Sequence, residues 1–129
     1  MTSQNFKNTR ERIDEAAWNK VAGISIEIVL FLLSKYAPEI RSAIEKMYGA
    51  TSSAIVKYLE SRFPRTILKI RESETIKKVL LRKKYLIELY KRYIGDKIVT
   101  QDNFKRFCEV AFLLFNADER DSIKKVSKI

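Results

Sequence analysis

The stretch "NFKRFCEVAFLLF" at residues 103–115 decides the fold class, because its apolar residues keep helical spacing from end to end. The residues at positions i, i+3, i+4, i+7, i+10 and i+11 are Phe104, Phe107, Cys108, Ala111, Leu114 and Phe115. This spacing predicts a helix with one face against a core, beginning near Thr100. Within that face, Cys108 is predicted to be a small buried hydrophobe rather than a reactive thiol.

Residues on the N-terminal side of this stretch carry further helix boundaries. Pro38 suits the first turn of a helix that Gly49 ends. Thr51, with Ser52 beside it, can cap a further helix that Pro64 closes. Residues 65–72 have no clear period, so they form either a short helix or the first turns of the next one.

The ends of the chain follow the same pattern. Asn8, with Glu11 three residues later, can cap a first helix that runs to Gly23 or through it, and residues 1–7 are predicted to be flexible. A second apolar stretch covers residues 24–36. At the other end, Asp118 is predicted to cap a short, frayed helix over residues 118–129.

These segments together predict an all-α fold, a compact bundle of five to seven helices in a single domain over residues 1–129. Three glycines and two prolines in 129 residues fit helices joined by short loops. The run "ISIEIVLFLL" at 24–33 contains Glu27 and is about half the roughly 20 residues needed to cross a bilayer. It is therefore interpreted as core, and a cytoplasmic protein with no membrane partner is expected.

The residue types leave little for catalysis. The chain has no histidine and one cysteine, which removes the commonest acid-base catalyst and thiolate zinc sites. The acids Asp118, Glu119 and Asp121 are best explained as favourable charges at a helix start. We therefore expect no enzyme, no catalytic residue, no metal, no cofactor and no small-molecule substrate.

The net charge of +10 is concentrated in one part of the chain. Residues 62–92 hold 11 basic and 3 acidic side chains, whereas residues 1–61 hold 8 and 7. This asymmetry indicates a polyanionic partner, and nucleic acid is the expected one. A purely solubilising role for the charge is the alternative.

The stretch "KKVLLRKKYLIELYKRYIG" at 77–95 is predicted to lie in one long basic helix, capped by Ser73 and ending near Ile94. One broad face is predicted to meet the core. Its residues are Ile76, Val79, Leu80, Leu86, Ile87, Tyr90 and Ile94. Lys83 points toward this face, where its ammonium must reach solvent or find a carboxylate.

The remaining sides of this helix are positive. Lys77, Lys84 and Lys91 recur every seven residues along one flank, while Leu81, Tyr85 and Leu89 are predicted to lie exposed among cations on the other. Such a surface can stack bases of single-stranded nucleic acid and hold phosphates, or it can pack on another helix or subunit. The side chains of this basic segment predicted to contact nucleic acid are Arg62, Arg65, Lys69, Lys77, Lys78, Arg82, Lys84, Tyr85, Lys91 and Arg92.

Three pieces of the sequence occur in the same order as similar pieces in one protein family. They are "TSSAIVKYLE" at 51–60, "LLRKKYL" at 80–86 and "NFKRFCEVAFLLF" at 103–115. The chain resembles the small helical subunit of type III CRISPR effector complexes of the Csm kind. Two positions depart from its pattern: Val56 stands where a basic residue is usual, and Lys83 stands at the proline of an "LRPK" motif.

The resemblance implies a helical bundle and a non-catalytic role in antiviral defence. Several copies would lie along guide and target RNA and contact the RNA backbone with little sequence reading. Carried over by position, Lys57, Arg82 and Lys84 would contact RNA, with Arg106 as a weaker candidate. Single-stranded RNA or an RNA hybrid, together with other protein subunits or copies of the chain, are the partners implied.

Two other functions remain open. The first is a small archaeal or viral factor that docks a basic face on a larger nucleic-acid enzyme, and the composition, rich in Ile, Lys, Glu and Tyr, suits a thermophilic source. The second is a helix-turn-helix protein on duplex DNA. Its recognition helix, residues 52–63, would carry only Lys57 and Arg62 as cations, which is few for that task.

Overall fold

A computed structural model describes residues 15–128, and within them the chain forms eight helices and no strand. The all-α prediction is confirmed, with one helix more than the upper limit expected. The predicted flexible residues 1–7 and the predicted cap at Asn8 and Glu11 lie outside the described residues. The helices are α1 Glu15–Leu33, α2 Pro38–Glu45, α3 Ser52–Arg62, α4 Pro64–Glu72, α5 Glu74–Arg82, α6 Tyr85–Tyr93, α7 Gln101–Leu113 and α8 Ala117–Val126.

Helix α1 is the centre of the fold and packs against each of the other seven helices. From Ile28 to Leu33 every side chain is buried, so the helix is covered on all sides there. Among the described residues α1 is the one helix long and apolar enough to cross a membrane by length and composition, a test that central core helices also pass. It is continuous through Gly23, so the two apolar segments predicted on either side of that residue form one helix.

Local sequence signals set most helix starts where they were predicted. Pro38 occupies the first turn of α2, and the Thr51 hydroxyl accepts a hydrogen bond from the Ala54 N–H at 3.2 Å. The Ser73 hydroxyl accepts one from the Ile76 N–H at 3.2 Å. Thr100 and its third following residue cap α7 reciprocally. Each bond satisfies an N–H group that the helix itself leaves without a partner.

The predicted cap of the last helix is wrong by two residues, because Asn116 and not Asp118 caps α8. The Asn116 side chain accepts from the Glu119 N–H at 2.9 Å, and the Glu119 carboxylate accepts from the Asn116 N–H at 2.9 Å. The helix buries Ile123 and Val126, and it packs against α1, α4 and α5.

The single long basic helix predicted from Ser73 to Ile94 is also wrong, because the chain breaks at Lys83. The φ and ψ angles of Lys83 are −113° and 54°, so α5 ends at Arg82 and α6 starts at Tyr85. Residues 64–72 form a separate helix, α4, with Pro64 in its first turn. The predicted core face of the basic segment is nevertheless buried, except that Ile87 is only partly covered.

A short pairing of two loops ties the middle of the chain to its last third. The Gly49 N–H donates to the Val99 carbonyl oxygen at 2.9 Å, and the Val99 N–H donates to the Ala50 oxygen at 2.9 Å. Gly49 has a φ of +98°, a conformation that side chains with a Cβ rarely adopt. The pairing holds the start of α3 beside the loop between α6 and α7.

The carboxylate of Glu27 lies half-buried on α1, where the Tyr90 hydroxyl donates a hydrogen bond to it at 2.8 Å. Burial raises the pKa of Glu27 above its usual value, and the bond from Tyr90 offsets only part of that effect. Folding therefore makes the Glu27 carboxylate easier to protonate than it is in the unfolded chain. The stability contributed by this group is complete below the unfolded-state pKa of about 4.5 and is lost as the pH rises through the folded-state pKa.

We expect Glu27→Gln to become more stable relative to the wild type as the pH rises from 4 to 7, since glutamine keeps an acceptor for Tyr90 and does not ionise. Urea unfolding of both proteins at several pH values measures the difference. The expectation is contradicted if the free energy of unfolding of Glu27→Gln, relative to that of the wild type, decreases between pH 4 and pH 7.

Candidate nucleic-acid interface

Most of the basic side chains predicted to contact nucleic acid are exposed and have no carboxylate partner within 4.0 Å in the part of the chain that the structure describes. They are spread over α3, α4, α5, α6 and the α5–α6 junction. These nine residues, called the open cations below, are Lys57, Arg62, Arg65, Lys69, Lys78, Arg82, Lys84, Lys91 and Arg92.

Two predicted cations are engaged within the protein. The Lys77 ammonium lies 3.4 Å from the Glu74 carboxylate and 5.6 Å from the centre of the Trp18 ring, with only 14% of its side chain exposed. Lys77 therefore has less charge to offer a phosphate than an exposed, unpaired cation. Arg106 is exposed, but its Nε lies 3.2 Å from the Asp102 carboxylate, so this side chain is a weaker candidate than the open cations.

The predicted exposed apolar side chains are only partly found. Tyr85 is 48% exposed, whereas Leu81 and Leu89 are half-buried against the core. The break at Lys83 changes the helical register, so the predicted seven-residue recurrence does not run along one continuous helix. Tyr85 is consequently the aromatic side chain of the predicted set that can offer a ring to a base.

The break at Lys83 is stabilised by contacts to the start of α8. The Lys83 ammonium lies 3.1 Å from the Glu119 carboxylate, donates to the Leu114 carbonyl oxygen at 2.9 Å and lies 5.5 Å from the centre of the Phe115 ring. The side chains of Lys83 and Glu119 are 14% and 10% exposed. Of the two alternatives expected for Lys83, reaching solvent or finding a carboxylate, the structure shows the second.

The carboxyl group of Glu119 is charged in this setting. Burial alone would raise its pKa, but the hydrogen bond from the Asn116 N–H and the neighbouring Lys83 ammonium outweigh burial and lower the pKa below its usual value. The Lys83 side chain points inward to Glu119. The side chains of Arg82 and Lys84, on either side of it in the sequence, are exposed to solvent. We call residues 82–85 the basic junction.

The positive surface extends further than the sequence indicated. The Lys69 ammonium on α4 donates to the carbonyl oxygen of Lys128, just beyond α8. Lys124 and Lys128 are exposed at this end of α8, and Leu68, 55% exposed, is on the outer side of α4. The lysines of "KKVSK" at 124–128 are evident in the sequence. The sequence does not show that they lie beside Lys69 on α4.

Two features of the described residues concern chemistry directly, namely clusters of metal-ligating side chains and the single cysteine. Among residues 15–128 no group of three His, Cys, Asp or Glu side chains is placed to hold a metal ion. Cys108 is partly buried, and burial raises the pKa of its thiol to about 12, so it is protonated near neutral pH. The partial burial and raised pKa of Cys108 agree with its predicted structural role.

Comparison of the chain with protein-family models, with curated proteins and with solved structures found no match.

Proposed function

We propose that this protein is a non-catalytic nucleic-acid-binding subunit of a ribonucleoprotein assembly, which contacts the RNA backbone through its basic surface. The observation that carries the proposal is the set of nine open cations, exposed and without carboxylate partners in the described chain. Cations that are already paired within a protein have less charge to offer a phosphate. Open cations release counterions when a polyanion binds, and this release drives association.

The arrangement supports backbone contact rather than base reading. Lysine and arginine side chains on the outer faces of several short helices reach phosphates, which carry no sequence information. At the basic junction, Arg82 and Lys84 flank the turn and Tyr85 presents a partly exposed ring. A base of a single strand can stack on this ring while its phosphates meet the two cations. Single-stranded RNA or an RNA hybrid is accordingly the proposed ligand.

The resemblance to the Csm-type small subunits rests on the sequence pieces alone. In the "LRPK" motif of the resemblance the proline corresponds to Lys83, and Lys83 is the residue at which α5 ends. Its φ of −113° and its N–H, which donates to the Val79 carbonyl oxygen at 3.1 Å, do not suit a proline, so the break itself does not strengthen the resemblance. We propose, on this resemblance, a cytoplasmic protein that binds RNA beside other subunits or further copies of itself.

The test replaces Arg82, Lys84 and Arg92 together by glutamine and measures binding to single-stranded RNA over a range of salt concentrations. Each lost phosphate contact reduces the slope of log K against log salt by about 0.7, so the triple variant is expected to lose about 2 from the slope. Its affinity should be weaker at low salt and approach that of the wild type at high salt.

A matched control carries the same charge change on other surfaces. Lys20, Lys46 and Lys105 are exposed and have no ion-pair partner in the described chain, so their triple glutamine variant should keep a slope near that of the wild type. If both triple variants reduce the slope equally, net charge alone explains the binding. If neither variant changes the slope, the proposed site is wrong. Parallel titrations with single-stranded DNA and duplexes identify the preferred nucleic acid.

A second candidate is a regulatory factor that docks its basic face on a larger nucleic-acid enzyme. Leu68, 55% exposed on the same helix as the exposed Arg65 and Lys69, is the observation in its favour, because RNA gains little from an exposed leucine. Pull-down from lysate after nuclease treatment separates the two functions. A protein partner retained without RNA, and lost in Leu68→Ser, supports the second.

A further inference from the structure

A groove of about 670 Å³ lies between α2 and α7, on residues that the proposed RNA-binding surface does not use. Its lining includes the aromatic residues Tyr48, Phe104 and Phe112 together with Cys108. Along α7 the lining runs from Gln101 to Leu113, a distance of about 18 Å at the rise of an α-helix. The groove is therefore open, mostly apolar and as long as about three helical turns.

The rim of the groove carries charges of both signs. Arg41 and Glu45 are one turn apart on α2, and Lys105 and Glu109 are one turn apart on α7. All four side chains are exposed, and none has an ion-pair partner within 4.0 Å in the described part of the chain. Each wall thus presents one free cation and one free carboxylate to an incoming molecule.

Two other cations in the groove are already engaged. The Lys35 ammonium lies 4.5 Å from the centre of the Phe112 ring, and the Arg120 Nε donates to the Phe112 carbonyl oxygen at 3.1 Å. These contacts hold the Phe112 end of the groove in place. They leave the four rim charges as the groups available for recognition.

Leu113 gives the clearest sign that the groove meets another molecule. It is 78% exposed, the highest value among the large exposed hydrophobic residues of the described chain, and it lines the groove at the end of α7. Leu114 beside it is 36% exposed. Burying an apolar side chain is favourable, so an exposed leucine at this edge favours an occupant with apolar groups of its own.

We propose that this groove binds an amphipathic α-helix of a partner protein. The apolar ridge of that helix, at positions i, i+3, i+4 and i+7, lies on the aromatic floor and against Leu113. Acidic residues on its flanks face Arg41 and Lys105, and basic residues face Glu45 and Glu109. The alternating signs of the four free rim charges match a helix with flanks of both signs better than a uniformly negative RNA backbone, and the net charge of +10 disfavours a second copy of the chain.

A library of helix-forming 18-residue peptides with randomised surface positions, displayed on phage and selected on the full-length protein, tests the proposal. Enriched peptides are expected to share an apolar ridge at helical spacing with acidic and basic flanks. Leu113→Ser, a change at an exposed residue that the fold tolerates, should weaken their binding by at least about tenfold. Analytical ultracentrifugation of the protein alone shows whether a second copy is the occupant instead.

The exchange of charges on one wall supplies the control. The double variant Arg41→Glu, Glu45→Lys should weaken a selected peptide, and exchanging the facing charges of that peptide should restore binding, an effect that a folding defect cannot produce. The proposal is overturned if enriched peptides lack the ridge, if they bind Leu113→Ser as tightly as the wild type, or if the exchanged peptide gives no rescue. Because these residues lie outside the open cations, RNA binding of the variants is measured independently of this result.

Discussion

Replacing Lys83 by methionine is expected to lower the free energy of unfolding by about 3 kcal/mol, because it leaves the largely buried Glu119 carboxylate without its cation. It also removes the donor to the Leu114 carbonyl oxygen. Urea denaturation of the variant and the wild type at pH 7 measures the loss. Lys84→Met is the matched control, since Lys84 is exposed and unpaired in the described chain, and its effect should stay within about 0.5 kcal/mol.

The pH dependence of the same variant adds a second readout. The pKa of Glu119 is lowered in the folded protein, so the stability it contributes is present above its unfolded-state pKa of about 4.5 and is lost as the pH falls through the folded-state pKa. The gap between the wild type and Lys83→Met should therefore narrow on acidification. A gap of equal size at pH 7 and well below pH 4 would show that packing, and not the charge pair, accounts for the loss.

Phe31→Ala is expected to cost about 3–5 kcal/mol, the usual range for removing a phenylalanine from a packed core. Phe31 is fully buried on α1, and its ring centre lies 5.9 Å from that of Tyr90 and 5.8 Å from that of Phe104. The change leaves a cavity where three helices meet. Equilibrium unfolding in urea measures the loss.

Two further variants keep this prediction testable if Phe31→Ala does not fold. Phe31→Leu should lose much less, because it removes fewer atoms from the same site. Leu113→Ala truncates a 78% exposed side chain and should change stability by no more than about 0.5 kcal/mol. Equal losses for Phe31→Leu and Leu113→Ala would mean that the Phe31 site repacks freely.

Features that depend on neighbouring residues could be predicted from the sequence. The caps at Thr51, Ser73 and Thr100 are hydroxyl side chains that bond an N–H three residues later, so their signal is local. The apolar stripe of α7 was predicted in large part: Phe104 and Phe107 are buried, but Leu114 lies beyond the end of the helix and is exposed. Helical periodicity reports which face of a segment is apolar, whatever that face packs against.

The break at Lys83 could not be predicted, because its cause lies far away in the chain. No glycine or proline marks it, and the periodicity of residues 76–94 continues across it. The carbonyl group that binds the Lys83 ammonium is 31 positions later, at Leu114. A long-range contact of this kind overrides local helix propensity, which is worth only tenths of a kcal/mol per residue.

For the candidate site, too, local sequence signals could be predicted and long-range contacts could not. The concentration of positive charge between residues 62 and 92 was evident, but the partners of individual cations were not. Lys77 is an example, because its ammonium lies beside Glu74 on α5 and the Trp18 ring on α1. The contact with Trp18 depends on how α1 and α5 pack and could not be predicted from the local sequence. The exposure of Tyr85, in contrast to Leu81 and Leu89, likewise depended on the break.

The central position of α1 has a consequence for biosynthesis. A ribosome releases the chain from its N-terminal side at about 5–20 residues per second, so the most apolar helix emerges before any of the seven helices that cover it. Until the covering helices follow, this helix exposes apolar surface that favours aggregation. We therefore expect the yield of soluble protein on overexpression to depend on chaperone supply and on translation speed.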